Sequence, residues 1–258
     1  MKAMIFCAGL GTRLKPLTDT MPKALVPLAG KPLLQWQVER LRDAGITDII
    51  VNVHHFPDMI IDTVRRNNGW GCNILISDER DQLLDTGGGL KKALKRLTAR
   101  SNLQEPTAIL ACNVDILSNL DLRALISSYQ SPISNLQSPM SLLVVSQRET
   151  QRYLCFDEHD RLCGWTNIKT GELKGHDGRH LAFSGCQVLG TDVLERLEEI
   201  PDDKFSLIDF YMAICEKQMS NVQCPMSNLK AYIPNAFRMM DVGKIDQIEE
   251  AERFAESL

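Results

Sequence analysis

The residues best equipped for chemistry in this chain open it: Cys7-Ala8-Gly9-Leu10-Gly11-Thr12-Arg13, with Pro22-Lys23 ten residues after the arginine. Two glycines separated by one residue let backbone come close to a ligand, and the N–H groups of such a loop, from Ala8 to Thr12, can converge on phosphate oxygens. Arg13 and Lys23 add two positive charges within reach of the loop. A polyphosphate is the ligand this layout suits. Further along, Asn113-Val114-Asp115 ends an apolar run, which places a carboxylate where a strand finishes. Mg²⁺ takes carboxylate oxygens together with waters and phosphates, so Asp115 is the first metal candidate.

Two familiar glycine motifs do not fit. A dinucleotide fingerprint needs a third glycine where this chain has Leu14, and an acidic residue ending the second strand, where it has Asn52 and His54. A Walker-type loop needs Gly-Lys-Ser or Gly-Lys-Thr after four spacers, and the chain has none. What remains, Gly9, Gly11, Thr12, Arg13, Leu14, Pro16, Leu17 and Thr18, then Pro22, Lys23 and Pro27, resembles the signature of the sugar-1-phosphate nucleotidyltransferases.

That resemblance implies nucleotidyl transfer from a nucleoside triphosphate to a sugar 1-phosphate with Mg²⁺ as cofactor. It places Arg13 on the β- and γ-phosphates and Lys23 on the α-phosphate as catalytic cations. Asp241, in Asp241-Val242-Gly243, becomes the second metal carboxylate beside Asp115. Thr86-Gly87-Gly88-Gly89 resembles the family segment that packs against the base, with Gln82 a further candidate for a base contact. On the sugar side, Asn113 stands next to the metal aspartate, Phe183-Ser184-Gly185 resembles the family's Phe-Thr-Gly strand, and Lys169 is the candidate partner of the sugar phosphate. The chain departs from the pattern in Val114 before the aspartate, in Lys244-Ile245 after Gly243, and in lacking Glu-Lys-Pro around Lys169. Within the family, UTP with N-acetylmuramic acid 1-phosphate is the favoured pair, and GTP with mannose 1-phosphate the alternative. A catalytically inactive regulatory subunit on the same fold is the opposed reading.

The chemistry makes modest demands on the protein. A phosphate monoester has its second pKa near ~6, so it is largely a dianion at neutral pH and needs no general base. The barrier is electrostatic, and cations, backbone N–H groups and Mg²⁺ lower it by positioning and neutralising charge. No Ser-His-Asp set is needed.

These residues must be held by a core, and 258 residues, 44% apolar and 24% charged, can build a large one. A net charge of −4 carries no electrostatic footprint for nucleic acid. No apolar run approaches a membrane span, and the apolar stretch Met4–Leu10 runs into Gly11-Thr12-Arg13 without a cleavage site, so neither a membrane anchor nor a signal peptide is expected. The eight cysteines include no C-x-x-C pair and mostly sit in apolar segments, as reduced thiols of a cytoplasmic protein would.

Taken in order, the pattern predicts strands at 2–7, 48–53, 73–77 and 107–112. Helices are expected around the Leu34/Val38/Leu41 and Ile60/Ile61/Val64 stripes, and a basic helix at 90–96 after a glycine-rich segment at 84–89. This alternation predicts an α/β fold, a doubly wound, mostly parallel Rossmann-like sheet with ligands beyond the carboxyl ends of its strands. The second half predicts strands at 141–146, 181–190 and 237–241, a hairpin of 153–156 with 162–165, and helices at 193–200 and 206–217. Loops are expected at 130–139 and 171–178. We read one nucleotidyltransferase domain over 1–258, with a nucleotide-binding half at 1–115, a smaller sugar-phosphate-binding lobe at 116–258 and no carboxy-terminal β-helix. Oligomeric state stays open.

Overall fold

Four apolar runs of the first half become parallel neighbours in a sheet. The computed structural model describes residues 1–98, 108–131, 141–219 and 229–258. Its first half runs β1 (Lys2–Phe6), the short strands β2 (Pro27–Leu28) and β3 (Lys31–Pro32), α1 (Leu33–Asp43), β4 (Asp48–Val53), α2 (Pro57–Arg66), β5 (Asn73–Asp78), α3 (Asp85–Thr98) and β6 (Ala108–Asn113). The second half continues with β7 (Ile116–Ser118), α4 (Leu122–Gln130), β8 (Ser141–Ser146), β9 (Arg152–Phe156), β10 (Leu162–Asn167), β11 (Glu172–Gly175) and β12 (Arg179–Gly190). It ends with α5 (Thr191–Glu198), α6 (Leu207–Met219), β13 (Leu229–Tyr232), β14 (Met239–Asp241) and α7 (Ile248–Glu256).

Among the described residues one sheet carries most of these strands, in the order β11-β10-β9-β12-β6-β1-β4-β5, with β8 on β12 and β13 on β8. The neighbours β6-β1-β4-β5 are parallel, and β12 joins β6 antiparallel. The direction in which strands are added reverses at β1: the chain moves outward through β4 and β5, then returns to place β6 on the other side. That reversal leaves a crevice beyond the carboxyl ends of β1 and β6, where ligands of such sheets bind. Register puts Phe6 opposite Asn52 on one side and Asn113 on the other, so the loop after β1 starts between two polar side chains.

Alternation along β1 divides the core in two. Ala3 and Ile5 pack with α1, α2 and α7, whereas Met4 packs with α3, α5 and α6. Covered on both faces, these strands read as continuous apolar runs without a polar alternation.

Three expectations change. Gly87, Gly88 and Gly89 lie inside the first turns of α3, not in a loop ahead of it, because the residues packed across them leave no room for side chains. Residues 172–175, expected as loop, form edge strand β11 by pairing with β10. The elements β7, α4 and β13 add to the pattern, α4 being capped by Asp121, whose carboxylate accepts the Ala124 N–H at 3.0 Å. Most of the loop expected at 130–139, with Thr107 and Cys224, lies outside the described residues.

Candidate active site

The crevice at the carboxyl ends of β1 and β6 holds a cavity of about 500 Å³. One wall is the loop after β1, where Ala8, Gly9, Gly11 and Thr12 line the space. Its two glycines serve different ends. Gly11 has φ +65°, and a Cβ there would lie 2.8 Å from Thr18 Cγ2 and 3.1 Å from Lys23 Cβ, so this glycine lets the loop fold onto the Pro22–Lys23 segment. Thr18 Oγ1 fastens the turn by donating to the Gly11 carbonyl at 2.8 Å. A Cβ at Gly9 would meet nothing within 4 Å, and the open space faces the cavity.

Arg13 and Lys23 both reach this cavity, each paired with an aspartate. Lys23 Nζ contacts Asp115 Oδ2, with only 11% and 16% of the two side chains exposed. Arg13 Nη2 lies 3.5 Å from Asp241 Oδ2 in a more open pair. The two aspartate-bearing segments are neighbours because β14 runs antiparallel to β7, setting Asp241 opposite Ile116, while the Val242 N–H donates to the Asp115 carbonyl at 2.9 Å. Gly243 completes the corner. A Cβ there would lie 2.6 Å from Asp241 Oδ1 and 2.8 Å from Arg13 Nη2, so glycine leaves space for the ion pair. Asn113 lines the cavity beside Asp115.

A buried polar bridge ties the first loop to α3. The Cys7 N–H donates to Asn52 Oδ1 at 2.8 Å, Asn52 Nδ2 donates to Glu79 Oε1 at 2.8 Å, and Glu79 Oε2 accepts the Leu84 N–H at 3.3 Å. Burial pushes the Glu79 carboxyl above its ordinary range, against the opposing pull of these hydrogen bonds, Lys92 and His54. The folded state therefore holds the Glu79 proton more tightly than the unfolded chain does. Stability from that preference is complete below the unfolded pKa of about 4.3 and is lost as pH rises through the raised folded value. Thermal melts should accordingly show wild type losing ground to Glu79→Gln as pH rises from about 4 toward 7. A constant difference across that range would mean that Glu79 titrates as it does in the unfolded chain.

Among the described residues the cleft offers no reactive thiol. Burial, then Cys112 and Asp115, raise the Cys7 thiol well above its usual value, so it holds its proton. The described cysteines are free. Among the described residues Cys155, Asp177 and His180 bring donor atoms within 4.8 Å of one another. Burial and Asp177 push the Cys155 thiol up to about 12, while His180 Nε2 already meets Asp177 Oδ1 at 2.6 Å. His54 and His55 are engaged by the backbone carbonyls of Glu79 and Thr18.

Not all residues singled out by sequence reach the cleft. Ala8, Gly9, Gly11, Thr12, Arg13, Lys23, Thr86, Asn113 and Asp115 line it, whereas Asp241 lines a separate cavity with Met239, Met240 and Gln247 and touches the cleft only through Arg13. Leu10 does not line it and is exposed, since its side chain leaves the loop toward solvent. Gly87 and Gly88 face the loop at 203–205: a Cβ on Gly87 would strike the Phe205 ring at 2.4 Å, and one on Gly88 the Asp203 carbonyl oxygen at 1.9 Å. Gln82 lines a separate cavity with Gly88, Lys91 and Lys92. Gly185, at φ +74°, interrupts the pairing of β12 with β8, and the nearest atom to a Cβ there would be Asn113 Nδ2 at 2.8 Å, so the glycine admits a protein side chain. Lys169 stands exposed in the turn between β10 and β11, away from the cavity lining. Among the lining residues that sequence reasoning misses are the charged Asp85 and Lys204, and it misses the bridging role of Asn52. A polar residue at the end of the otherwise apolar β4 is the available signal for Asn52, and no comparable signal marks Lys204.

A parallel sheet with a glycine loop, two cations and two carboxylates at its reversal point defines a phosphate-handling α/β protein of the nucleotide-binding class. The chain belongs to the nucleotidyl transferase family, whose model matches residues 2–257. It is 48% identical over 97 residues to N-acetylmuramate alpha-1-phosphate uridylyltransferase of Caulobacter vibrioides, covering 37% of this chain and 40% of that protein. Mannose-1-phosphate guanyltransferase 2 of Candida glabrata is 42% identical over 98 residues, covering 38% of this chain and 27% of that one. The matches thus span less than half the length of these relatives. The crystal structure of HddC from Yersinia pseudotuberculosis complexed with GMP-PN shares the fold, with a TM-score of 0.72 at 24% identity over 98% of this chain and 99% of that one.

Proposed function

We propose that this protein transfers a nucleotidyl group from a nucleoside triphosphate to a sugar 1-phosphate, releasing pyrophosphate. The observation that carries the reading is that Arg13, Lys23 and Asp115 line one cleft with residues of the 8–12 loop, with Asp241 held at its edge by Arg13. An oxygen of the sugar phosphate attacks the α-phosphorus, a new P–O bond forms, and the bond to the bridging oxygen of the β-phosphate breaks in line. Lys23, held against Asp115 beneath the loop, stabilises charge gathering at the α-phosphate and the departing oxygen. Arg13 neutralises the β- and γ-phosphates, and backbone N–H groups of the 8–12 loop orient them. Thr86 carries the base side of the cleft and Asn113 a sugar hydroxyl. We assign the nucleotide to residues 1–115 and the acceptor to elements of 116–258.

Asp115 and Asp241 fit a hard divalent cation: Asp115 stands in the turn just ahead of β7, and Asp241 ends β14, which pairs with β7. Mg²⁺ held there would supply further charge neutralisation for the phosphates. UTP with N-acetylmuramic acid 1-phosphate is the favoured pair, supported by the likeness to the Caulobacter vibrioides protein, and GTP with mannose 1-phosphate is the alternative. No helix among the described residues is long and apolar enough to cross a membrane. A cytoplasmic setting suits the free thiols and these substrates.

Pyrophosphate release measured across UTP, GTP, CTP, ATP and dTTP, each with several sugar 1-phosphates and Mg²⁺, tests the reading. Turnover with one pair well above the rest is expected, and Asp241→Ala should need about tenfold more Mg²⁺ for half-maximal rate. Nucleotide binding without turnover for any pair would instead make the chain a regulatory subunit.

A further inference from the structure

Outside the cleft, β9 and β12 bring together a second group of side chains able to do chemistry. Register sets His180 of β12 directly opposite Cys155 of β9, so the two side chains stand on one face of the sheet. That face is not the one packed with α3, α5 and α6, where the flanking Leu154, Phe156 and Leu181 point. The 176–178 segment covers it instead. A Cβ on Gly164 would lie 2.1 Å from the His176 carbonyl oxygen, and one on Gly178 2.5 Å from that of Phe156, so two glycines let the segment lie directly on β9 and β10. Cys155 is buried with Asp177 above it. Cys163, at the irregularity of β10, turns its Sγ to the Cys155 carbonyl at 3.3 Å.

Asp177 Oδ1 is where these groups converge. It accepts the Gly178 N–H at 2.9 Å, lies 3.9 Å from Cys155 Sγ and 2.6 Å from His180 Nε2. The imidazole is steadied by stacking on Tyr153, with ring centroids 5.6 Å apart, and the Tyr153 hydroxyl in turn accepts the Thr150 N–H at 3.0 Å. His180 and Asp177 keep 38% and 68% of their side chains exposed, which leaves one side of the group open to water. Asp177 also borders an open cavity of about 860 Å³, where Asp157, Glu158 and Asp160 stand with Arg161 and Arg179, an approach that favours a cation. We propose that Cys155, Asp177 and His180 form a binding site for Zn²⁺, with water as the fourth ligand. Thiolate, imidazole and carboxylate together suit this borderline-soft ion, whereas Mg²⁺ and Ca²⁺ take oxygen ligands. Zn²⁺ holds such ligands at about 2.0–2.3 Å, which sets tetrahedral donor atoms roughly 3–4 Å apart, a range that the present spacings bracket. Binding releases the Cys155 thiol proton to solvent and replaces the bond between His180 and Asp177, leaving the neutral ring with its proton on Nδ1. The ion clasps the 176–178 segment to β9 and β12. None of its three ligands lines the catalytic cleft.

The test is metal binding by the full chain, with Zn²⁺ or Co²⁺ as the probe and Mg²⁺ in excess to occupy the aspartates of the cleft. Co²⁺ bound to wild type should give a near-ultraviolet thiolate-to-metal charge-transfer band, which carboxylates alone do not give, and Zn²⁺ should displace it. Cys155→Ser should abolish the band, and Cys163→Ser should keep it. His180→Ala and Asp177→Asn should each weaken Zn²⁺ binding by about tenfold or more. Zn²⁺ at about a hundred times its Kd should raise the melting temperature of wild type by roughly 5–10 °C, and that of His180→Ala by about half as much or less. Both of the residues replaced in the affinity measurement are exposed, so these variants keep the core intact. No charge-transfer band with wild type, a band that survives Cys155→Ser or is lost with Cys163→Ser, or equal stabilisation of wild type and His180→Ala by Zn²⁺ would overturn the assignment. Each of these readouts is independent of whether nucleotidyl transfer occurs.

Discussion

Lys23→Ala is expected to lower kcat by about 10²- to 10³-fold, the scale on which one group that stabilises developing charge contributes. Its ammonium sits against Asp115 with little of either side chain exposed, in a pocket roofed by Gly11. Water can replace an exposed cation, but it replaces a buried one poorly, because solvent enters such a site only after reorganising. The substitution also strips Asp115 of its partner, and a half-buried carboxylate left alone is costly. The effect should therefore fall on kcat more than on nucleotide KM. Arginine should not fully restore activity, since its planar fork does not reproduce the compact charge that Lys23 Nζ sets against Asp115. Rates at saturating substrates decide the matter: a fall of less than about tenfold would remove Lys23 from the charge-stabilising role.

The contrast with Arg13 follows from exposure. Its pair with Asp241 leaves 58% and 45% of the side chains in solvent, and a pair of that kind adds at most about 1 kcal/mol to stability. Its value lies in position. Arg13 and Asp241 are far apart in sequence, and the short strands β7 and β14, with Gly243, bring them together.

What can be read without coordinates is whatever is local. The glycine loop, the two cations and the strand that delivers Asp115 all belong to continuous segments whose residue types state their geometry, and the parallel half of the sheet follows from its apolar runs. Contacts made across the chain are less legible. The segment at residues 86–89 gives the same pattern whether its glycines face a base or a second loop, and only packing shows that Phe205 and Asp203 take that space. Gly185 is a similar case, its missing Cβ making room for Asn113. Lys169 and Lys204 are both lysines in polar turns, and which of them enters the cleft depends on the pairing of β10 with β11 and on the docking of residues 203–207. The strands β7 and β14 are three residues each, too short to show a period.

Gly88→Ala offers the second large effect, and Gly9→Ala is its control. A methyl at Gly88 would stand 1.9 Å from the carbonyl oxygen of Asp203 and 3.1 Å from Leu84 Cβ. The near atom is backbone, so the 203–205 loop must move as a unit, giving up the bonds from Gly87 and Gly88 to Phe205. Alanine in a helix gains up to about 1 kcal/mol over glycine, but overpacking costs about 1–3 kcal/mol and each lost hydrogen bond about 1 more, so destabilisation wins. The melting temperature should fall by roughly 4–16 °C. Activity should fall further than stability, because the displaced loop carries Lys204 and the Leu207 N–H that holds Thr86. Gly9→Ala reverses the pattern: its methyl meets nothing within 4 Å and its backbone is not left-handed, so melting should be unchanged. The methyl would project into the space where phosphates approach the loop, and nucleotide KM should rise about tenfold or more. Melting curves and KM values measured on the same preparations separate the two. Should Gly88→Ala melt like wild type, the docking of residues 203–205 would not be what glycine is needed for. Should Gly9→Ala bind nucleotide normally, the loop would not be the phosphate cradle, and the site would have to be built around Lys23 and Asp115 without it.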